Sequence, residues 1–563
     1  MPKNEFTAEK SAGTVKKLFS GTAVLTLSAI LTKLTGLVYK VPLIALVGTE
    51  GMAYFLAANH IYILLFVIST AGLPVAVAVM VAGAVARGEY DAVRRVYRTA
   101  AALFGTVGIA ATTFMAAGAG LISRLVGIPQ AIWCIIAIAP AVALACVAGA
   151  LRGYFQGHQI MVHTAVSQMI EAFGKLVFGL AGAYLVRKSG ADTPFVAAGA
   201  IAGITLGVGM SALYLAVVKV AFDRRYYAGA SDVCGDRICK TQRSASGIQP
   251  ANPRTQGSVI GLLLRLALPV TLSSAIISLG GVIDTALIPK SLMECGFSQS
   301  RAYTLFSCYG NMAIPLFSLT PALVSPIAMT LVPLVSSARG RGDETAESEA
   351  VSTAIRLTLA LALPASLGLA MLSEPILCLI FASDTSAALM AAPLLSILAL
   401  SIVPACLITA TNAILQAQGR AESTIVSMLC GTAVKLASEL ILVRRPDVNI
   451  FGAPLSTLLC DIVVVAVNIY MIVRCSPAPR GFWRPIITMG ICAVGAVGGA
   501  GIVWFLTPLG HMADSAVIPA VVLAAAVYAV LMLVCRVIRP EELLRKGSKN
   551  DGETTENRLS SEP

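Results

Sequence analysis

Residues 19–47 read FSGTAVLTLSAILTKLTGLVYKVPLIALV, an apolar run without a single acid and with only two charges, Lys33 and Lys40. A helix needs about 20 apolar residues to cross roughly 30 Å of hydrocarbon, so the run predicts a membrane span. Thirteen more stretches share this character, near 53–83, 99–121, 131–151, 163–186, 195–218, 259–289, 303–335, 353–373, 388–414, 424–443, 449–473, 486–507 and 515–538. The ninth of the fourteen, at 353–373, has the composition to continue through Pro375. The whole chain agrees, with 57% of its 563 residues hydrophobic and 12% charged, against roughly 25% charged in soluble domains. A soluble fold cannot bury so much apolar surface, and only helices satisfy their own backbone in lipid without closing a barrel. The expectation is an all-α polytopic membrane protein. A secreted disulfide scaffold, a cytosolic enzyme and a nucleic-acid-binding domain are excluded.

The first run is too long for a signal peptide and lacks a small-residue cleavage site after it, so it is expected to stay as the first span. Orientation follows from Lys and Arg in the loops. With the N-terminus inside, 29 of the 41 basic residues fall in inner segments and 7 in outer loops. Both termini are therefore expected in the cytoplasm. The net charge of +12 reflects this bias rather than a polyanionic partner. The 13 cysteines are scattered. Cys234 and Cys239 share a loop without metal-ligand spacing, and reduced thiols with no metal or cofactor are expected.

The chain repeats itself weakly. Thr26-Leu27-Ser28 matches Thr271-Leu272-Ser273, Ala86-Arg87-Gly88 matches Ala338-Arg339-Gly340, and Lys175-Leu176 matches Lys435-Leu436. The offsets are 245, 252 and 260, so order is kept and the drift is slow. A duplicated unit of six spans restores the same orientation, which makes the repeat parallel. The expected division is a tail at 1–18, an N-lobe at 19–221, a flexible linker at 222–258 and a C-lobe at 259–474. Two extra spans at 486–538 and a polar tail at 539–563 follow. Two such six-helix lobes facing a central cavity are the architecture of an alternating-access transporter.

Ionisable groups inside spans cost about 2.5–3.5 kcal/mol each at a helix centre. Those expected here are Lys33, Lys40, Glu171, Lys175, Arg265, Asp284, Lys435, Glu439 and Asp461, with His60 as a hydrogen-bonded packing residue. Lys33 and Lys40 are two turns apart on one face, about 10 Å along the axis. No acid in that span neutralises them. Facing a cavity they suit a phosphate or pyrophosphate; otherwise Lys40 reaches the headgroups and Lys33 pairs with an acid elsewhere. Glu171 with Lys175, and Lys435 with Glu439, have the i,i+4 spacing of intrahelical ion pairs. Lys175 and Arg265 are candidates to assist the basic pair, and Arg265 is also placed to meet headgroups. Asp284 either pairs with a basic residue of the first half or binds a proton or cation; Asp461 is a lesser candidate of the same kind. Pro42, Pro74, Pro289, Pro326 and Pro333, with Gly36 and Gly281, are candidate bending points. Walker A, His-Glu-x-x-His and Gly-x-Ser-x-Gly motifs are absent, and no enzyme activity is expected.

Lys33-Leu34-Thr35-Gly36-Leu37-Val38-Tyr39-Lys40-Val41-Pro42 resembles the opening of the SpoVB-type polysaccharide exporters. So do Ser69-Thr70-Ala71-Gly72-Leu73-Pro74 and Arg152-Gly153-Tyr154-Phe155-Gln156-Gly157. Val282-Ile283-Asp284-Thr285 and Gln416-Ala417-Gln418-Gly419 carry the likeness into the second half. That family is similar to the MurJ lipid II flippases, within a superfamily that includes multidrug exporters. The resemblance implies fourteen spans, a lipid-tail groove beside spans 13 and 14, and contact between basic residues of span 1 and a lipid-linked pyrophosphate. The family usually carries Arg where this chain has Lys33 and Lys40, which keeps the charge and loses the two-pronged guanidinium.

The resemblance thus implies a flippase of a bacterial plasma membrane that moves an undecaprenyl-pyrophosphate-linked sugar from inner to outer leaflet, with lipid II for peptidoglycan synthesis as the first expectation and another lipid-linked polysaccharide precursor, with a role in sporulation, as the alternative. The expected partners are that lipid, membrane lipids and cell-wall synthases, on a monomeric chain. A cation-coupled multidrug antiporter on the same scaffold would prefer an acidic cavity. A non-transporting assembly partner would be indifferent to cavity mutations.

Overall fold

The computed structural model describes residues 28, 30–233, 256–341 and 343–474, with scattered positions in 488–495 and 526–530. The first half holds α1 (Ile30–Val47), α2 (Gly51–Thr70), α3 (Leu73–Ala86), α4 (Tyr90–Ala117), α5 (Ala119–Leu125), α6 (Ile132–Gly157), α7 (Met161–Lys188) and α8 (Thr193–Val233). The second holds α9 (Gln256–Glu294), α10 (Gln299–Ser307), a π-helical turn (Cys308–Ala313), α11 (Ile314–Phe317) and α12 (Leu319–Gly340). It continues through α13 (Glu344–Met371), α14 (Ser373–Ile380), α15 (Thr385–Leu400), α16 (Ile402–Ala417), α17 (Ala421–Leu442) and α18 (Gly452–Val473). Among the described residues the protein is all-helical, and 11 helices are long and apolar enough to cross a membrane. The expected spans 13 and 14 fall almost wholly outside the described residues.

Four expected spans differ in detail. The second is broken at Ala71-Gly72, just before Pro74. A Cβ on Gly72 would overlap the backbone of Ala267, so the break lets α9 approach closely. The eighth is divided by the π turn, which lies immediately before Pro315, a residue with no N–H to donate. The tenth is interrupted at Ser401. The ninth stops at Met371, and Pro375 belongs to the separate short α14. Of the five candidate bending prolines only Pro74 sits at a break; α1, α9 and α12 run through the other four. Residues 222–233, placed by composition in a linker, continue α8. Asp223 explains part of this: it accepts from Tyr154 Oη at 2.7 Å and pairs with Lys219 at 2.6 Å.

Lipid gives helices little hydrophobic reason to associate, so close backbone approach carries much of the packing. Gly199, Gly203 and Gly207 form a stripe on α8 at four-residue spacing. A Cβ on Gly203 would overlap Gly179 of α7, and one on Gly207 would press on Gly174 and Glu171. Backbone turns also echo the sequence repeat. Gly48 and Gly296, Gln159 and Gly419, and Gly190 and Asn449 all have positive φ at helix ends.

One apolar cluster joins the halves at a single end of the bundle. It runs from Leu43, Phe55 and Ile135 to Leu292, Phe306 and Leu394. Polar contacts reinforce it: Thr49 Oγ1 donates to Asp384 (2.5 Å), Ser300 Oγ to Glu50 (2.6 Å) and Asn311 Nδ2 to the Met52 carbonyl (3.0 Å). Toward the other end the cores separate. Leu73, Val77, Phe104 and Tyr154 form one with Leu263 and Ala267 of α9, whereas Val335, Val351, Ile414 and Ile472 form another. Helix α9 packs against α2, α3 and α4 as well as α17, and so ties the halves together.

Candidate substrate-binding column and buried ion triad

Helix α1 is anchored by Tyr39, which is buried against Gly179 and donates to the Ala200 carbonyl at 3.1 Å. Ser28 adds a bond to Gln168 of α7 at 3.0 Å. This anchoring turns Lys40 toward the second half, where Nζ lies 3.4 Å from the Gly310 carbonyl of the π turn. Seven residues earlier, Lys33 shares that face within about 20°. It is exposed, and among the described residues no carboxylate pairs with it. The two expected lysines thus do share a direction, but only Lys33 is left open; Lys40 is engaged with the far half.

Lys33 is close enough to repel both Lys40 and Lys175. Lys175 lies 3.1 Å from Glu171 Oε1, as the i,i+4 spacing predicts. The other oxygen, Oε2, is 2.9 Å from Arg152 Nη2 of α6. Arg152 also donates to Ser167 at 3.0 Å and to Ser211 at 3.0 Å. Lys40, Lys33, Lys175 and Arg152 are thus four neighbouring basic groups, of which Glu171 pairs with the last two. Arg152, which the loop-charge count puts in an inner segment, lies inside α6, five residues before its end. A carboxylate has two oxygens and Lys175 occupies only one; that spare oxygen was the available signal.

Arg265 does not join these groups. Leu263 and Ala267 bury against the α3 cluster, and Arg265 lies exposed on the opposite side of α9.

A second charged group lies in the other half. Lys435 Nζ of α17 is 2.7 Å from Asp284 Oδ1 of α9. This corrects two expectations: Lys435 does not bond to Glu439, and Asp284 does not pair with the first half. Glu439 is fully buried beside both. Neither of its oxygens receives a hydrogen bond from a described donor. Asp461 of α18 feels the Lys435 charge without a bond to it. Tyr309 of the π turn, whose hydroxyl is 3.0 Å from Thr457, borders the group.

His60 of α2 links this group to the first half. Its Nδ1 is 2.7 Å from Thr285 Oγ1, and that hydroxyl donates to the Gly281 carbonyl at 2.7 Å. One hydroxyl proton cannot serve both, so His60 Nδ1 is the donor to Thr285. The expected hydrogen-bonded packing role for His60 stands, and Gly281 is small because the imidazole lies against it. Among the described residues no group of His, Cys, Asp and Glu has the arrangement of a metal site.

A bundle of apolar helices whose halves meet in one apolar cluster, with ion pairs inside each half, is a membrane-transporter fold. It is similar to an inward-facing multidrug resistance MATE family transporter of the MOP superfamily, at TM-score 0.62 and 15% identity over 80% of this chain and 98% of that one. It is also similar to the lipid II flippase MurJ in an inward closed conformation, at TM-score 0.64 and 14% identity over 93% of this chain and 99% of that one. The family model for lipid II flippase MurJ matches residues 182–515, and that for polysaccharide biosynthesis protein matches 18–339. The chain belongs to the MurJ family. It is 25% identical to the lipid II flippase MurJ of Bacillus subtilis (81% of this chain, 83% of that one), and 23% identical to stage V sporulation protein B of the same organism (93% and 96%).

Proposed function

We propose that this protein is a flippase for a lipid-linked pyrophosphate sugar, with lipid II as the first candidate. The observation that carries this is Lys33, an exposed residue without a carboxylate partner among the described residues, near enough to Lys40 and Lys175 to repel both. A diphosphate is the ligand that neutralises such a set of cations. Cationic drugs would be repelled by the same groups.

The end closed by Thr49–Asp384 and Glu50–Ser300 is the outer one under the loop-charge rule, with both termini cytoplasmic. In this reading the headgroup enters from the cytoplasm between two six-helix lobes. The polyprenyl tail stays in lipid beside spans 13 and 14, at 486–538, which brings the count to fourteen. Rocking of the lobes then opens the other side. A potential negative inside favours outward movement of an unneutralised anion by about 2.3 kcal/mol per charge per 100 mV.

The test is flipping of lipid II by the full chain in proteoliposomes, read as headgroup accessibility to a membrane-impermeant reagent. Wild type is expected to flip it and Lys33→Ala to lose most of the activity. Equal rates for the two would remove the binding role of Lys33. Activity on another lipid-linked glycan, with none on lipid II, would reassign the cargo.

A further inference from the structure

A buried backbone carbonyl needs a donor. In an α-helix it takes the N–H four positions on, and in a π turn the one five positions on. Gly310, in the π turn, is denied both. The Ile314 N–H bonds to the Tyr309 carbonyl instead, and residue 315 is a proline, which has no N–H. Gly310 is buried, which keeps bulk water from making up the loss. Its carbonyl takes a donor from the other half of the molecule, the Lys40 ammonium at 3.4 Å. We infer that Pro315 is a positioning residue: it keeps the Gly310 carbonyl free to dock Lys40, and the π turn thereby reports occupancy of the headgroup site to the end where the halves meet. The sensing rests on the proposed pyrophosphate cargo; the docking does not.

The turn is placed for that task. All six of its residues are buried, four of them in the apolar cluster that joins the halves. Toward the first half, Asn311 Nδ2 donates to the Met52 carbonyl of α2 at 3.0 Å, and a Cβ on Gly310 would overlap Leu56 of the same helix. Within the second half, Cys308 Sγ donates to the Ala387 carbonyl of α15 at 3.5 Å, and Tyr309 Oη is 3.0 Å from Thr457 of α18. A shift of the turn is therefore felt at α2, α15 and α18 together. Asn311 Oδ1, on the residue next to Gly310, is buried without a donor among the described residues. Two adjacent residues thus carry poorly served acceptors, which leaves this arrangement of the turn easy to exchange for another.

Lys40 is open to a competing ligand. An ammonium has three donors, and the carbonyl uses one. Among the described residues no carboxylate lies within ion-pair distance of it. A charged phosphate attracts an ammonium more strongly than a neutral carbonyl does. A headgroup phosphate held by Lys33, two turns away on the same face of α1, draws the Lys40 ammonium from Gly310. The carbonyl is then buried without a donor, which destabilises the seat of the π turn against α2. Cargo binding in this way loosens the end that has to open for release, and an empty site keeps it shut.

Two measurements test this, and the first is independent of the transport reading. The full chain in lipid nanodiscs, with no anionic ligand added, is briefly acetylated and its lysines are compared by peptide mass spectrometry. Lys40 should label far more slowly than the exposed Lys33. Pro315→Ala, which supplies the missing N–H, should raise Lys40 labelling several-fold, and Pro364→Ala, inside α13, should leave it unchanged. A wild-type Lys40 as reactive as Lys33, or a folded Pro315→Ala with Lys40 as slow as in wild type, overturns the docking. The second measurement rests on the proposed cargo and uses inorganic pyrophosphate. It should protect Lys33 and raise proteolysis at the end where the halves meet, and Lys40→Ala should not respond. Protection of Lys33 with unchanged proteolysis overturns the sensing and leaves the headgroup site standing. No protection of Lys33 overturns the headgroup site and the sensing with it, whereas the docking is decided by the first measurement alone.

Discussion

Lys40 Nζ and the Gly310 carbonyl oxygen, on opposite halves of the molecule, are 3.4 Å apart. Lys33 shares its helix face and has no such contact among the described residues. Two lysines with one sequence signature therefore have different surroundings.

Lys33→Ala should weaken binding of a soluble diphosphate headgroup analogue by about ten- to a hundredfold, the cost of losing one charged hydrogen bond of roughly 1.5–3 kcal/mol. Lys40→Ala should affect binding less and conformation more, because it removes a contact of the closed end. Calorimetric titration of both variants, with protease accessibility at the closed end, separates them. Equal losses of affinity with unchanged accessibility would contradict this division.

Glu171→Ala should destabilise the protein, since it leaves Arg152 and Lys175 facing each other without their shared carboxylate. Breaking a buried pair costs about 3–5 kcal/mol; the partial exposure of these side chains lowers the expectation to about 2 kcal/mol. Thermal unfolding in detergent should show a clear fall in Tm. Adding Arg152→Met should recover part of it, and no recovery would argue that the three do not act as one unit.

Gly203→Val should disrupt the α7–α8 pair, because its side chain meets the Gly179 backbone. Overpacking costs about 1–3 kcal/mol even where neighbours shift, and backbone shifts least. Gly209→Val, on the same helix, meets only the tip of Leu144 at 3.5 Å and should be tolerated. Folded yield by size-exclusion chromatography compares the two directly.

Cysteines placed at Glu50 and Ser300, whose side chains bond at 2.6 Å, should be bridged by a short bis-methanethiosulfonate reagent, which spans the length of the lost Glu side chain, and arrest transport. Reductant should restore it, while each single variant stays active. Free transport by the cross-linked protein would show that this end does not have to open.

The hydrophobic runs made most of the architecture legible. Where the reading went astray, the local pattern was compatible with several outcomes. Lys435 and Glu439 have the spacing of an ion pair, yet Lys435 bonds to Asp284, since α9 brings that carboxylate to 2.7 Å. Pro74 and Pro326 are equivalent in the repeat, yet only the first marks a break, where Ala267 needs the room that Gly72 leaves. His60 was readable as a packed, hydrogen-bonded residue. Its partner Thr285, 225 positions away, was not.

Composition and periodicity alone determined that the chain is a helical membrane protein and most of the residues that place charge inside it, Arg152 excepted, because hydrocarbon enforces those rules on every span separately. Which charges meet was decided only by the folded bundle. Ion pairing depends on a few ångströms between helices, and those distances arise from glycine contacts and helix breaks that act across the whole molecule.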